Sequence, residues 1–179
     1  MNLILIGMPG SGKTTQGDAL SSKLNIPYLS SGKILRKLSE AQTPRGEHMR
    51  TIMNSGNLLP DDETIEIIEE HLAQPEYKHG YILDGFPRTM YQAEKCRLPI
   101  DKVIYIELTD EEAIRRIAHR AEKRNDQSPE ATRLRLRIFH DETDKLIDQY
   151  EKMGLLLRID GSPSIEQVTA DILAKLSAK

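Results

Sequence analysis

The sequence predicts an α/β fold: a five-stranded parallel sheet with helices on both faces. Three observations point there. Short apolar runs alternate with longer stretches of helical periodicity along the whole chain. The first of those runs is continuously apolar, as a strand buried on both faces requires. It ends in a glycine-rich segment that leads directly into a helical pattern. A length of 179 residues suits a single domain with a sizeable core, and 38% hydrophobic against 30% charged residues excludes wholesale disorder.

Taken in order, Leu3–Ile6 reads as a buried strand ending at Gly7, and Lys13 to Leu24 as a helix stopped by Asn25-Ile26-Pro27. Tyr28-Leu29 is a short strand, with a second helix beginning after Ser30-Ser31. Thr43-Pro44-Arg45-Gly46 reads as a break in the helical pattern, and Asn54–Pro60 as a loop. Asp61 is expected to cap a helix whose apolar side is Ile65, Ile67, Ile68 and Leu72. Tyr81-Ile82-Leu83 and Val103–Ile106 are further strands. Between the latter and the next helix, Thr109-Asp-Glu-Glu112 has the form of a capping box. Ser128-Pro129 opens a long helix that Gly154 closes, Leu155–Ile159 is the last strand, and Ser162-Pro163 opens the terminal helix. In such a sheet, ligands are expected at the carboxyl ends of the strands.

A net charge of −3 argues against a nucleic-acid binder. The single cysteine, Cys96, permits neither an internal disulfide nor a multi-cysteine zinc site. No apolar run approaches the length of a membrane span, so a cytoplasmic protein is expected.

Gly7-Met-Pro-Gly-Ser-Gly12-Lys13-Thr14 fits the phosphate-binding pattern G-x-x-x-x-G-K-[ST] at every fixed position, between a strand and a helix. The glycines let successive backbone N–H groups converge on a phosphate at the positive end of the following helix. Lys13 adds a mobile charge and Thr14 a hydroxyl directed toward Mg²⁺. Gly7, Pro9, Gly10, Ser11, Gly12, Lys13, Thr14 and Thr15 are therefore the candidates for holding a nucleoside triphosphate. The loop by itself specifies nucleoside triphosphate binding, since many chemistries share it.

Five segments in fixed order extend the reading. They are Gly7–Gln16, Ser30-Ser-Gly-Lys-Ile-Leu-Arg36, Gly56-Asn-Leu-Leu-Pro-Asp-Asp62, Asp84-Gly-Phe-Pro-Arg88 with Gln92, and Arg120…Arg124-Asn-Asp126…Arg135. Together they span nearly the whole chain, which in them closely resembles the adenylate kinase family. The resemblance implies a monomeric Mg²⁺-dependent phosphotransferase with ATP as donor and AMP as acceptor. On it, Arg36 and Arg88 would hold the acceptor's α-phosphate. Arg120, Arg124 and Arg135 would surround the transferring group, the last two also touching AMP. Arg116 would lie over the base of ATP. Asp84, at a strand end, would organise hydrated Mg²⁺ together with Thr14. Arginine suits these places because its fork is permanently charged and grips phosphate oxygens with paired donors. Arg133 and Arg137 read instead as solvated helix surface.

For the acceptor base, Gln92 matches the position where adenylate kinases present an amide to adenine, and an amide can donate and accept at once. Ser31 keeps a hydroxyl where the adenylate pattern has threonine. Gly56–Leu59, including Leu58 and Leu59, would pack around the base, and Gly85 belongs to the same AMP site. Residues 30–60 would form the acceptor-binding segment and 120–128 a short lid loop, within one kinase domain of residues 1–179. Two features depart from the pattern. Lys33 stands where an aspartate would help order the water around Mg²⁺; it either weakens that order or pairs with Asp84 or a phosphate. The loop also ends Lys13-Thr14-Thr15, with a hydroxyl in place of glycine. Three other readings stay open: a UMP/CMP kinase, a kinase for a non-nucleotide acceptor, and a nucleotide binder without catalysis.

Overall fold

The computed structural model describes residues 1–121 and 128–178, the side chains of residues 120 and 121 excepted. Five strands form one sheet: β1 (Asn2–Ile6), β2 (Tyr28–Ser30), β3 (Tyr81–Asp84), β4 (Lys102–Glu107) and β5 (Leu156–Asp160), in the order β2-β3-β1-β4-β5. Every pairing is parallel. The period-two alternation of side chains divides β1 between two cores. Leu3 and Leu5 pack with Ile82, Ile104 and Ile159 on one face, under Leu20 of α1 (Lys13–Leu24) and Val168 and Ile172 of α9 (Ile165–Ser177). Ile4 and Ile6 join Leu83 and Val103 on the other, under Ile65 and Ile68 of α4 (Asp61–Leu72) and Leu146, Ile147 and Tyr150 of α8 (Asp144–Lys152). Both faces are buried, which explains why the strands read as continuous apolar runs.

Between β2 and α4, the chain forms α2 (Ser31–Ser39) and α3 (Pro44–Ser55) around a separate small cluster of Leu35, Met49, Leu59 and Ile67. The break expected at Thr43–Gly46 is instead a helix start: Thr43 is the N-cap, accepting from the Gly46 N–H, and Pro44 occupies the first helical position, where its missing N–H costs nothing. That helix runs to Ser55, so the expected loop is shorter than Asn54–Pro60. Asp61 is not the cap of α4, whose flanking residue is Pro60; it begins the helix and turns its carboxylate toward α5 (Met90–Lys95).

Along the rest of the chain, α6 (Asp110–Ala121) starts with half of the expected box. Thr109 accepts from the Glu112 N–H, while the Glu112 carboxylate is held by Arg115 and Arg116. Ser128 and Pro129 open α7 (Pro129–Ile138) as expected, and a π-helical turn at Phe139–Thr143 interrupts the long helix before α8. Gly154 follows α8 with φ 70°, the left-handed stop. The terminal helix begins at Ser164, not Ser162-Pro163: Ser164 and Gln167 form a complete capping box, and Ser162 is bound to Asp160. No helix among the described residues is long and apolar enough to cross a membrane.

Candidate active site

The carboxyl ends of β1, β3 and β4 converge on the glycine-rich loop, the place a doubly wound sheet reserves for ligands. Gly10 and Gly12 have φ of 88° and 94°, a region that side-chain-bearing residues rarely enter, and Gly12 passes directly into α1. The Lys13 ammonium folds over the loop and donates to the carbonyls of Gly7 and Met8. Ser11, which is buried, lies 3.5 Å from the same ammonium.

Two cavities flank this loop. On one side, Lys13 and Thr14 share a cavity with Ser31, Arg36, Leu58, Leu59, Asp84, Gly85, Arg88, Gln92 and Arg135. On the other, Gly10, Gly12 and Thr15 face Arg115, Arg116, His119, Gly161 and Pro163. Of the residues singled out from sequence, Gly7 and Pro9 also line the first cavity, and Ser11 the second. Arg124 and the side chain of Arg120 lie outside the described residues. Arg133 and Arg137 are exposed, as their surface reading requires.

Arg88 is fixed by its surroundings. Its N–H donates to the Gln92 amide oxygen at 2.7 Å, its carbonyl accepts from Thr143, and its Nε donates to the Gly85 carbonyl. Arg88 itself lines the cavity. Burial pushes its guanidinium below the usual arginine range; Asp84 opposes that, while Arg135 and Arg36 add to it. Three guanidinium groups thus share one cavity with the Lys13 ammonium, an arrangement that an anion would relieve. Arg135 also donates to the Met53 carbonyl at 2.8 Å, tying α7 to α3. Ser31, buried, donates to the Gly85 carbonyl at 2.9 Å, so that carbonyl anchors both Ser31 and Arg88.

Gln92 is 2% exposed, and its amide nitrogen donates to Asp61 at 2.8 Å. Asp61 also accepts from Thr89. Sequence reasoning missed this partner because an aspartate ahead of an apolar helix reads as a cap. Each amide atom keeps hydrogen-bonding capacity for a ligand, since the nitrogen carries two hydrogens and the oxygen two lone pairs.

Asp84 is 5% exposed, and one oxygen, Oδ2, accepts from the Tyr28 hydroxyl at 2.8 Å. Thr14 and Ser30 hydroxyls lie at 3.4 and 3.5 Å from the same oxygen. Burial, then the Asp84 charge and hydrogen bond, raises the Tyr28 phenol above its usual range, so it remains a donor. Lys33 does not pair with Asp84; it lies 3.4 Å from Asp18 and 4.9 Å from the centre of the Tyr28 ring. Asp84 and Thr14 supply oxygen donors beside a phosphate loop, which suits Mg²⁺, a cation that keeps several waters and takes few protein ligands. Among the described residues no group of three or more His, Cys, Asp or Glu side chains could hold an ion by itself.

In the second cavity, Arg116 is held by Glu112, the Gly161 carbonyl at 2.9 Å and the Ser162 carbonyl at 3.2 Å. Arg115 first, and then Arg116, hold the Glu112 carboxyl down at about 2. The guanidinium plane is thereby fixed beside the loop, where a flat base can stack on it. His119 lines this cavity and was not singled out from sequence, because a lone histidine on a helix carries no signal.

A strand–loop–helix with this glycine and lysine spacing on a parallel sheet, with arginines gathered in the cavity on one side and a second cavity on the other, is the arrangement of a P-loop phosphotransferase. The adenylate kinase family model matches residues 5–155. An adenylate kinase of Stenotrophomonas maltophilia (strain K279a) is 40% identical, with 99% of this chain and 100% of that protein covered. That of Thermobifida fusca is 37% identical with both chains covered in full, and that of Archaeoglobus fulgidus 36% identical with 98% of each covered. The chain belongs to the adenylate kinase family.

Proposed function

We infer that this chain transfers the γ-phosphate of Mg-ATP to AMP, giving two ADP. The observation that carries the reading is the placement of Arg36, Arg88 and Arg135 in one cavity with Lys13 and Thr14, while a second cavity opens across the loop. Phosphoryl transfer brings two phosphate chains head to head and asks the protein chiefly for position and charge stabilisation.

Donor phosphates would rest on the N–H groups of residues 7–15, with Lys13 leaving the loop carbonyls for phosphate oxygens. The donor base would lie in the second cavity against Arg116. Arg36 and Arg88 would hold the acceptor's α-phosphate, with Gln92, Leu58 and Leu59 around its base. An α-phosphate oxygen of AMP forms a bond to the γ-phosphorus as the bond to the β–γ bridging oxygen breaks. ADP leaves on the donor side and ADP forms on the acceptor side, with no covalent intermediate on the protein. Asp84, through water, and Thr14 would hold Mg²⁺, which supplies charge neutralisation at the β- and γ-oxygens.

Arg120, at the end of α6, Arg124 and Arg135 would surround the transferring group, and the short lid loop read at residues 120–128, of which 122–127 lie outside the described residues, would shut out water. Residues 30–60 would serve as the acceptor-binding segment of a single kinase domain spanning residues 1–179. The protein would act as a cytoplasmic monomer, without nucleic-acid or membrane partners. The test is ADP formation from Mg-ATP with AMP, CMP, UMP, GMP or dTMP offered singly, against a control without acceptor. Strong preference for AMP is expected. Preference for a pyrimidine would overturn the assignment of Gln92, and inactivity with all would overturn the phosphotransfer reading.

A further inference from the structure

We propose that Tyr28 is a positioning residue for the Mg²⁺ site, its hydroxyl orienting Asp84 from a slot that Gly17 opens and Lys33 covers. The inference rests on the Mg-ATP reading above.

Three independent contacts converge on this side chain. The first is the hydrogen bond to Asp84. In the β2–β3 register, Ser30 lies opposite Asp84 and Tyr28 opposite Ile82, so Tyr28 stands two residues back along the edge strand, on the same face as Ser30. From there only a long side chain reaches the carboxylate at the strand end. Tyr28 does so at 2.8 Å, an ordinary length for a hydroxyl bond to oxygen. The Thr14 and Ser30 hydroxyls, at 3.4 and 3.5 Å, are at the far limit of such bonds. Among the described residues Tyr28 is thus the close donor to this carboxyl group, and it sets the group's rotation. All three hydroxyls fall on Oδ2, and on this proposal the other oxygen would take the ordered water.

The second contact is steric. A Cβ on Gly17 would fall 2.3 Å from a ring carbon of Tyr28 and 2.7 Å from the carbon bearing its hydroxyl. Position 17 lies mid-helix in α1, where φ is ordinary and glycine costs about 1 kcal/mol relative to alanine. Helix propensity gives no reason for glycine here, and the ring does.

The third contact is Lys33, the cation standing where an acidic residue was expected. Its ammonium lies over the Tyr28 ring at 4.9 Å from the centre, within reach of a cation–π contact, and it faces Asp18 at 3.4 Å. Lys33 is thereby turned away from Asp84 and onto the outer side of the ring that holds Asp84. Carboxylates that serve a metal need such outer partners to fix their orientation, and loss of one typically costs about 10–100-fold in metal affinity.

Tyr28→Phe removes the hydroxyl and keeps the ring in its slot under Lys33. Two readouts are taken on the parent and the variant: ADP formation with Mg²⁺ titrated at fixed ATP and AMP, and calorimetric ATP binding with Mg²⁺ or with EDTA. The half-saturating Mg²⁺ concentration is expected to rise about tenfold in Tyr28→Phe. ATP affinity in EDTA should be unchanged, while the gain in affinity on adding Mg²⁺ shrinks. Superimposable Mg²⁺ dependence would overturn the proposal, as would an equal loss of ATP affinity in EDTA. Gly17→Ala displaces the ring while leaving the hydroxyl chemistry intact, and should shift the Mg²⁺ dependence in the same direction; an unshifted curve contradicts the slot. A parent that forms no ADP at any Mg²⁺ concentration would refute the phosphotransfer reading instead, and the calorimetric arm would still report on Tyr28.

Discussion

The carboxyl ends of β1 and β3 stand on two buried clusters that together line both faces of the sheet, whereas α2 and α3 beside them close over the small cluster of Leu35, Met49, Leu59 and Ile67. The phosphate loop and Asp84 therefore inherit the rigidity of strands whose core residues, such as Leu5 and Leu83, are wholly buried. The acceptor segment has fewer apolar contacts of its own, and Leu35 is at the margin of burial. Its links to the rest of the site include Arg135 to the Met53 carbonyl and Ser31 to the Gly85 carbonyl. On the proposed assignment, charge would be held on the more deeply buried scaffold, and substrate choice would rest on the part with the smaller core. A kinase gains from this division, because the acceptor must enter and its product leave while the phosphates stay aligned.

The largest effect expected across this comparison is at Lys13. Lys13→Ala should lower both ATP affinity and turnover, the latter by about 10²–10³-fold as for loss of one preorganised charge donor. Steady-state kinetics with ATP varied would show it, and normal values for both would remove the phosphate cradle from the account. Next in size is a pair of core truncations. Leu5→Ala and Met49→Ala each delete a fully buried side chain and should cost about 2–5 kcal/mol by the rule for large-to-small changes. Denaturant melts should place Leu5→Ala at the upper end. Met49→Ala should fall at the lower end and should also raise the KM for AMP with ATP affinity intact. Equal stability losses with no change in KM would mean that the two regions do not differ as described.

The smallest effect is at His140, in the π-helical turn after α7. It bridges Asp144 at 3.0 Å and Asp110 at 2.9 Å. Those two bonds raise its pKa above the ordinary 6.5, the Asp144 bond contributing most. A raised folded-state value means the contribution is fully present below about 6.5 and is lost as pH rises through the folded value. The side chain is 43% exposed, so solvent screening keeps the contribution under about 1 kcal/mol. Thermal melts between pH 5 and pH 9 should show a small stability loss in the parent, on the order of that figure, that His140→Gln lacks. Identical pH profiles would show that the bridge carries no stability.

Much of the phosphate side was legible in the sequence, because its backbone geometry is encoded in glycine spacing and strand ends. Gly7–Thr14 and Asp84–Arg88 fall at the loop and the end of β3, as read. Less of the acceptor side was legible. Pro44 breaks a helix or begins one with the same backbone chemistry, and only Thr43 ahead of it decides for a start. Asp61 has the form of a cap yet serves Gln92 and Thr89, partners some 30 residues on that no local pattern names. Ser162-Pro163 and Ser164-Ile-Glu-Gln167 both signal a helix start, and the reciprocal bonds of the second prevail. Tyr28 read as a strand residue because tyrosine is common in half-buried strands; its hydroxyl partner follows from register, which sequence does not give.

The most direct test of the divided site is the affinity of Arg88→Ala for each nucleotide, measured by calorimetry alongside the parent. Arg88 lines the cavity proposed for the acceptor, pinned by Gly85, Gln92 and Thr143. AMP affinity should fall at least about tenfold, the loss of a charge-assisted contact of roughly 1.5 kcal/mol or more, with ATP affinity unchanged. Equal losses for ATP and AMP, or none for AMP, would contradict a loop that separates donor from acceptor.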